Sequence, residues 1–96
     1  MASSKEFRDF VLEQLSFIEN ITYKPMMGEF LLYSNGLLFG GVYDDRLLIK
    51  STQTNQHFGL KSALPYTGAK PMLMIEDLEN KQALKDIVVA TLKGLK

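Results

Sequence analysis

Hydrophobic and polar positions fall into distinct rhythms along the chain, and each rhythm predicts a different element. Near the start, Phe7, Phe10, Val11, Leu15 and Ile18 recur at helical spacing and form one apolar stripe, with Lys5, Arg8, Asp9 and Glu13 largely off it. Ser3 followed by Glu6 matches a capping box, in which the serine accepts from the backbone three residues on and the glutamate reaches back. This predicts a helix that ends near Glu19 and Asn20. Ile21 to Lys24 is β-prone, and Pro25 pushes Lys24 out of helical geometry, so a short strand or extended lead-in follows. At the far end, Leu84, Ile87, Val88, Thr91, Leu92 and Leu95 predict a closing helix capped by Asp77 or Asn80, with Lys93 and Lys96 suited to its C-terminal dipole.

Between the helices, Met26 to Lys50 reads as a three-stranded antiparallel meander. Asn35-Gly36 is a strong hairpin signal, because a type I′ turn needs positive φ at both loop positions. It pairs Ser34 with Leu37, Tyr33 with Leu38, Leu32 with Phe39, Leu31 with Gly40 and Phe30 with Gly41. Asp44-Asp45 is a second, weaker turn that pairs Tyr43 with Arg46, Val42 with Leu47, Gly41 with Leu48 and Gly40 with Ile49. Directly paired residues share a face. One face then carries Leu31, Tyr33, Leu38, Gly40, Val42, Leu47 and Ile49, which lack charge and are expected under the helices. The other carries Phe30, Leu32, Ser34, Leu37, Phe39, Gly41, Tyr43, Arg46, Leu48 and Lys50. A slip of one residue in either turn would exchange the faces within the affected strand.

From Ser51 to Leu64 the chain turns polar, and a loop with one or two helical turns started by Thr52 or Thr54 is expected. Pro65, Gly68 and Pro71 punctuate a further loop, and Met72 to Glu76 reads as a strand that rejoins the sheet. The order predicts an α+β fold: a two-layer sandwich of one antiparallel sheet with the N-terminal and C-terminal helices packed on one face, as a single domain over residues 1–96. Two helices cover one sheet face only. The second face, with Phe30, Leu32, Phe39, Tyr43, Arg46, Leu48 and Lys50, is therefore the candidate interaction face, for a homodimer or a foreign protein, unless the segment from Ser51 to Pro71 covers it.

Composition narrows the function classes. At 96 residues with 46% hydrophobic and 23% charged positions, the chain can bury a core of its own without staples. The absence of cysteine excludes thiolate catalysis, zinc-thiolate sites and iron–sulfur ligation, and favours a reducing cytoplasm. Met1 to Glu6 lack the basic start and apolar core of a signal peptide, and no apolar run is long enough to span a bilayer, so a cytoplasmic location and no membrane partner are expected. Net charge is zero, which gives little long-range attraction to nucleic acid. The acids concentrate in residues 1–45 and most of the lysines and arginines lie further on, which describes either solvated surface or a bipolar molecule whose ends attract a partner or a second copy.

Candidate chemistry is sparse. His57 is the only histidine, sits in a polar stretch, and reads as a solvated loop residue rather than a metal ligand or base. Asp44 and Asp45 read as turn formers, and Glu76, Asp77 and Glu79 as a helix entrance rather than a magnesium site. Gly40-Gly41 lacks phosphate-loop spacing and is expected to let a helix or another backbone approach the sheet. Met26, Met27, Met72 and Met74 read as core filler, although any that surface would suit an adaptable partner groove. No catalytic residues, cofactor or metal are predicted.

Taken in order, the opening helix, Lys24-Pro25-Met26-Met27-Gly28, Tyr33 with Asn35-Gly36, Phe39-Gly40-Gly41, Asp44-Asp45, Leu47 to Lys50 and the Tyr66 to Met72 loop resemble the N-terminal domain of the TfoX/Sxy family of competence regulators. Where many members have an aromatic before paired glycines, this chain has Met26-Met27-Gly28-Glu29. Longer members carry a second, C-terminal domain, and this chain is expected to be the first domain standing alone. The resemblance implies a regulatory, non-enzymatic protein that acts with the transcription machinery or an activator, and it supplies no catalytic residues. Three functions follow as expectations. The first is a protein-interaction module using the second sheet face. The alternatives are a nucleic-acid binder that stacks bases on Phe30, Phe39 and Tyr43 with Arg46, Lys50, Lys61 and Lys70 on phosphates, and a small-molecule binder with a pocket between the sheet and the Ser51 to Pro71 loop.

Overall fold

The computed structural model describes residues 2–96; Met1, the first residue of the polar start, lies outside them. Helix α1 (Lys5–Gln14) leads into strands β1 (Ile21–Met26), β2 (Glu29–Ser34), β3 (Leu37–Val42) and β4 (Leu47–Ile49). A 3-10 helix (Gln53–Phe58), strands β5 (Lys61–Ala63) and β6 (Met72–Ile75), and helix α2 (Lys81–Leu95) complete the chain. The six strands form one antiparallel sheet in the order β1-β2-β3-β4-β6-β5. The fold is α+β, with both helices packed on one sheet face: Val11, Leu15 and Ile18, and Leu84, Ile87 and Val88 of α2, close over Phe30, Leu32, Phe39, Val42, Leu47, Ile49, Leu73 and Ile75.

The meander has four strands rather than three, because Met27-Gly28 makes a hairpin of its own between β1 and β2. Met27 and Gly28 have φ of 51° and 85°, Asn35 and Gly36 51° and 79°, Asp44 and Asp45 53° and 54°. Three successive two-residue turns thus have positive φ at both positions, the requirement of the type I′ hairpin. The β3–β4 register follows the sequence expectation, with Val42 opposite Leu47, Gly41 opposite Leu48 and Gly40 opposite Ile49.

The β2–β3 register follows it for two pairs, Ser34 with Leu37 and Tyr33 with Leu38, and then shifts. Leu32 pairs with Gly40, Leu31 with Gly41 and Phe30 with Val42, so Phe39 is the extra residue of a β-bulge. The expected pairs Leu32 with Phe39, Leu31 with Gly40 and Phe30 with Gly41 are corrected accordingly. Gly40 presents no side chain to the helices, and the neighbouring Phe39 ring, fully buried, belongs to the core on that side.

The bulge exchanges part of the two faces. Phe30, Leu32 and Phe39, expected on the free face, lie in the core under the helices, while Leu31, Tyr33 and Leu38 are only half-buried. Gly40, Val42, Leu47 and Ile49 lie on the helix side as expected, and Gly41, Tyr43, Arg46, Leu48 and Lys50 on the other. Gly41 admits backbone and ring together: a β-carbon there would stand 2.7 Å from the Phe30 carbonyl oxygen and 2.7 Å from Cε2 of Tyr43.

Helix boundaries differ at the N-terminus. Ser4, not Ser3, caps α1, its Oγ accepting from Phe7 N–H at 3.1 Å, and α1 ends at Gln14 rather than near Glu19. Asn80 caps α2 by accepting from Ala83 N–H at 3.1 Å. The polar stretch after Ser51 does contain a helical turn, started at Thr52 by a capping box with Asn55. Asn55 is wholly buried: its amide donates to Lys50 O (2.9 Å) and Thr91 Oγ1 (2.8 Å), and its oxygen accepts from Thr52 N–H (3.0 Å). Lys61 to Ala63, expected as loop, pairs with β6 and finishes the sheet.

Candidate protein-interaction surface

The sheet face away from the helices is built in rows across the strands: Leu31, Gly41, Leu48 and Met74 in one, Tyr33 and Leu38 in another, Tyr43 and Arg46 beside the β3–β4 turn. It is not left bare. The chain from Leu64 to Pro71 folds back across it, tied down by Arg46, whose Nη2 donates to the Leu64 carbonyl at 2.9 Å while Nε donates to Tyr43 O at 3.2 Å. Leu48 is 0% exposed, and Pro65 and Tyr43 are buried. Of the seven residues expected to form the interaction face, three lie in the core, Tyr43 and Leu48 are covered, Arg46 serves as the tether, and only Lys50 borders open space. The covering by the Ser51 to Pro71 segment, one of the alternatives drawn from the sequence, is what the structure contains.

Two clefts remain, on either side of Tyr43 and Tyr66. One, of about 420 Å³, lies between the sheet and the covering segment, bordered by Leu38, Lys50, Lys70, Pro71 and Met72, where the sequence suggested a small-molecule pocket. The other, of about 610 Å³, is lined by Ala2, Met26, Met27 and Glu29. Tyr66 forms part of the wall of both and is 60% exposed. Burial, and then the neighbouring Tyr66, Glu29 and Tyr33, push the Tyr43 hydroxyl above its ordinary pKa of 10.0.

Met27 stands at the rim of the second cleft and is 97% exposed. It is a large apolar side chain in water, on a left-handed backbone that suits Asn or Gly better. The hairpin tip that holds it is braced. Ser3 N–H donates to Gly28 O at 3.0 Å, and Ser3 Oγ donates to Glu29 Oε1 at 2.7 Å and accepts from Asp45 N–H at 3.0 Å. Glu29 also accepts from Asp44 N–H at 3.0 Å, and Ser4 N–H donates to Asp45 Oδ1 at 2.8 Å. These bonds hold two hairpin turns and the start of α1 together, and they account for the capping role passing from Ser3 to Ser4.

Sequence reasoning missed Met27, Tyr66 and Leu64 as surface apolar residues. One signal was available: Met27-Gly28 stands eight residues before Asn35-Gly36, with a strand-length segment between. The aromatic platform proposed for nucleic acid is corrected, since Phe30 and Phe39 are core residues and cannot stack on bases. His57 is exposed and lies against Phe58, with ring centroids 4.2 Å apart. Asp44 and Asp45 form the turn, and among the described residues no three His, Asp or Glu side chains are grouped to hold a metal ion. No helix of the described residues is long and apolar enough to cross a membrane.

An antiparallel hairpin meander, a loop folded across one sheet face and two helices on the other define a small α+β domain. Residues 13–94 match the TfoX N-terminal domain, and the chain belongs to that family. It is also similar to a protein of Spirochaeta aurantia described as "Uncharacterized 12.7 kDa protein in trpE 5'region", with 28% identity over 98 residues, spanning 99% of this chain and 85% of that protein.

Proposed function

We propose that this protein is a non-enzymatic, cytoplasmic regulatory module of the competence type, and that it acts by binding another protein through the Met27 hairpin tip and the adjoining cleft walled by Tyr66. Membership of a regulatory domain family supports the class. The observation that carries the surface is Met27. An exposed methionine on a left-handed backbone costs folding stability through strain and gains none from burial, whereas a partner groove would bury its apolar area and offset that cost. Methionine adapts its shape to such a groove, and a braced turn loses little freedom on binding.

The partner is a different protein rather than a second copy. The covering segment removes most of the sheet face that would otherwise pair with itself. The sheet edges are blunted: β1 carries Lys24 and Pro25, and β5 is three residues long and begins with Lys61. Light scattering should report a monomer; a stable dimer abolished by Met27→Asp would replace the foreign partner with self-association.

Complementation tests the reading. In the organism that encodes the protein, the gene is deleted and restored as wild type, Met27→Asn or Tyr66→Ser, and transcripts of the competence genes are measured. Folded variants that fail to restore the wild-type profile support the interaction surface. Full restoration by both variants would overturn it.

A further inference from the structure

On the helix layer, away from the Met27 tip, α2 carries a basic ridge that core packing does not require. Lys85, Val89 and Lys93 follow one another along one side of α2 at spacings of four, roughly opposite the buried stripe of Leu84, Ile87, Val88 and Thr91, and Lys96 at the C-cap continues the row. Phe17, from the turn after α1, stands beside this ridge at 54% exposure, and with Val89 and Leu92 it contributes the apolar part of a groove of about 350 Å³. Lys85, Lys93 and Lys96 are its cations.

Local electrostatics explain little of this arrangement. The ion pairs among the described residues are Arg8 with Asp9, Lys61 with Glu76, and Lys81 with Glu13, so none of the three groove lysines has one. Lys93 and Lys96 repel each other at i, i+3, and although both suit the helix C-terminus, Lys85 sits in the second turn, where the dipole gives it nothing. Among the described residues, Glu19 is the one acidic side chain lining the groove. Asp86, the other acid on this side of α2, accepts from Gln82 Nε2 at 3.0 Å.

From this juxtaposition of Phe17, Val89 and Leu92 with Lys85, Lys93 and Lys96, we infer that the outer face of α2 is a second docking site, and that its occupant is an acidic amphipathic segment of a partner protein. The apolar floor takes one or two large side chains of the segment, and the three lysines lie within reach of carboxylates flanking them. Charge complementarity selects the partner: an excess of unpaired cations around an apolar floor repels a basic segment and leaves a neutral one with half the contacts. A nucleic-acid strand would satisfy the lysines and find one stacking ring in Phe17, but it would leave Val89 and Leu92, which offer aliphatic carbon rather than a stacking plane, without a matching partner.

The probe is a fluorescein-labelled synthetic peptide that forms an amphipathic helix with Glu on one face and Leu and Phe on the other. Anisotropy titration of the full chain at low salt should show saturable binding, and amide shifts should centre on Phe17, Val89 and Lys93. Lys85→Glu with Lys93→Glu should weaken binding by at least about tenfold, and Phe17→Ser should weaken it without changing its salt dependence. Lys85→Gln with Lys93→Gln guards against any loss of fold in the charge-reversed variant. Absence of binding, equal binding by the double variants, or shifts centred elsewhere would overturn the inference. Binding of a single-stranded oligonucleotide through the same lysines, with none of the peptide, would overturn it in favour of a nucleic-acid surface.

Discussion

The ring of Tyr43 lies back over Gly41, so that a β-carbon at position 41 would stand 2.7 Å from Cε2 of the ring. The same carbon would crowd the Phe30 carbonyl oxygen of the neighbouring strand at 2.7 Å. Neither neighbour is free to give way, since Tyr43 is buried beneath the covering segment and Phe30 O belongs to β2. Gly41→Ala should therefore destabilise the protein by about 1–3 kcal/mol, seen as a lower urea midpoint with an unchanged slope. An unaffected midpoint would show that the Tyr43 ring is not held where the structure puts it.

Asn55 joins the 3-10 helix to β4 and α2 through Lys50 O, Thr91 Oγ1 and Thr52 N–H. Asn55→Ala leaves Lys50 O and Thr52 N–H half-buried without this partner, while Thr91 Oγ1 keeps its bond to Ile87 O, and should cost about 2–4 kcal/mol. Thr91→Val removes only one of them and should cost less. Urea denaturation of the two variants checks the order.

At position 27 stability and function should separate. Met27→Asn places a residue that tolerates the left-handed region at the first position of a type I′ turn, and removes no core contact. It should gain about 1 kcal/mol, or about 4–8 °C in Tm. A fall in Tm by calorimetry would mean that the side chain has a structural role within the chain.

The folded-state pKa of Tyr43 lies above its ordinary value of 10.0. Below pH 10 the phenol is protonated in both folded and unfolded chains and contributes no pH dependence. As pH rises past 10, the unfolded chain ionises first and binds fewer protons, so stability falls until the folded pKa is passed. Urea midpoints of wild type and Tyr43→Phe should run parallel below about pH 9 and diverge above about pH 10, with wild type losing more. Parallel curves throughout would place the phenol in solvent.

Turn chemistry made much of this fold legible. Asn35-Gly36 and Asp44-Asp45 announced their hairpins because few residue pairs suit positive φ at two successive positions, and the helical stripes of α1 and α2 stood out by period. What was hidden has local causes. The bulge at Phe39 leaves no compositional mark, since two glycines after a phenylalanine fit a regular strand as well as an irregular one, yet it moves Phe30, Leu32 and Phe39 from the free face into the core. Met27 concealed a turn because it is an unfavoured residue in a position set by its neighbours. Lys61 to Ala63 is too short and polar to read as a strand, and acquires one only by pairing with β6. The expected interaction face changed with the register, whereas the proposed surface depends on Met27 and Tyr66, whose exposure only the packed structure reveals.

The most direct test of the Met27 surface is photo-crosslinking in living cells, with a benzophenone amino acid placed at position 27 and, as a control, at the exposed Gln53 of the 3-10 helix, away from both proposed surfaces. One discrete protein adduct is expected from position 27, absent from position 53 and lost when Tyr66→Ser is added. No adduct from position 27, or the same adduct from both positions, would contradict the Met27 surface.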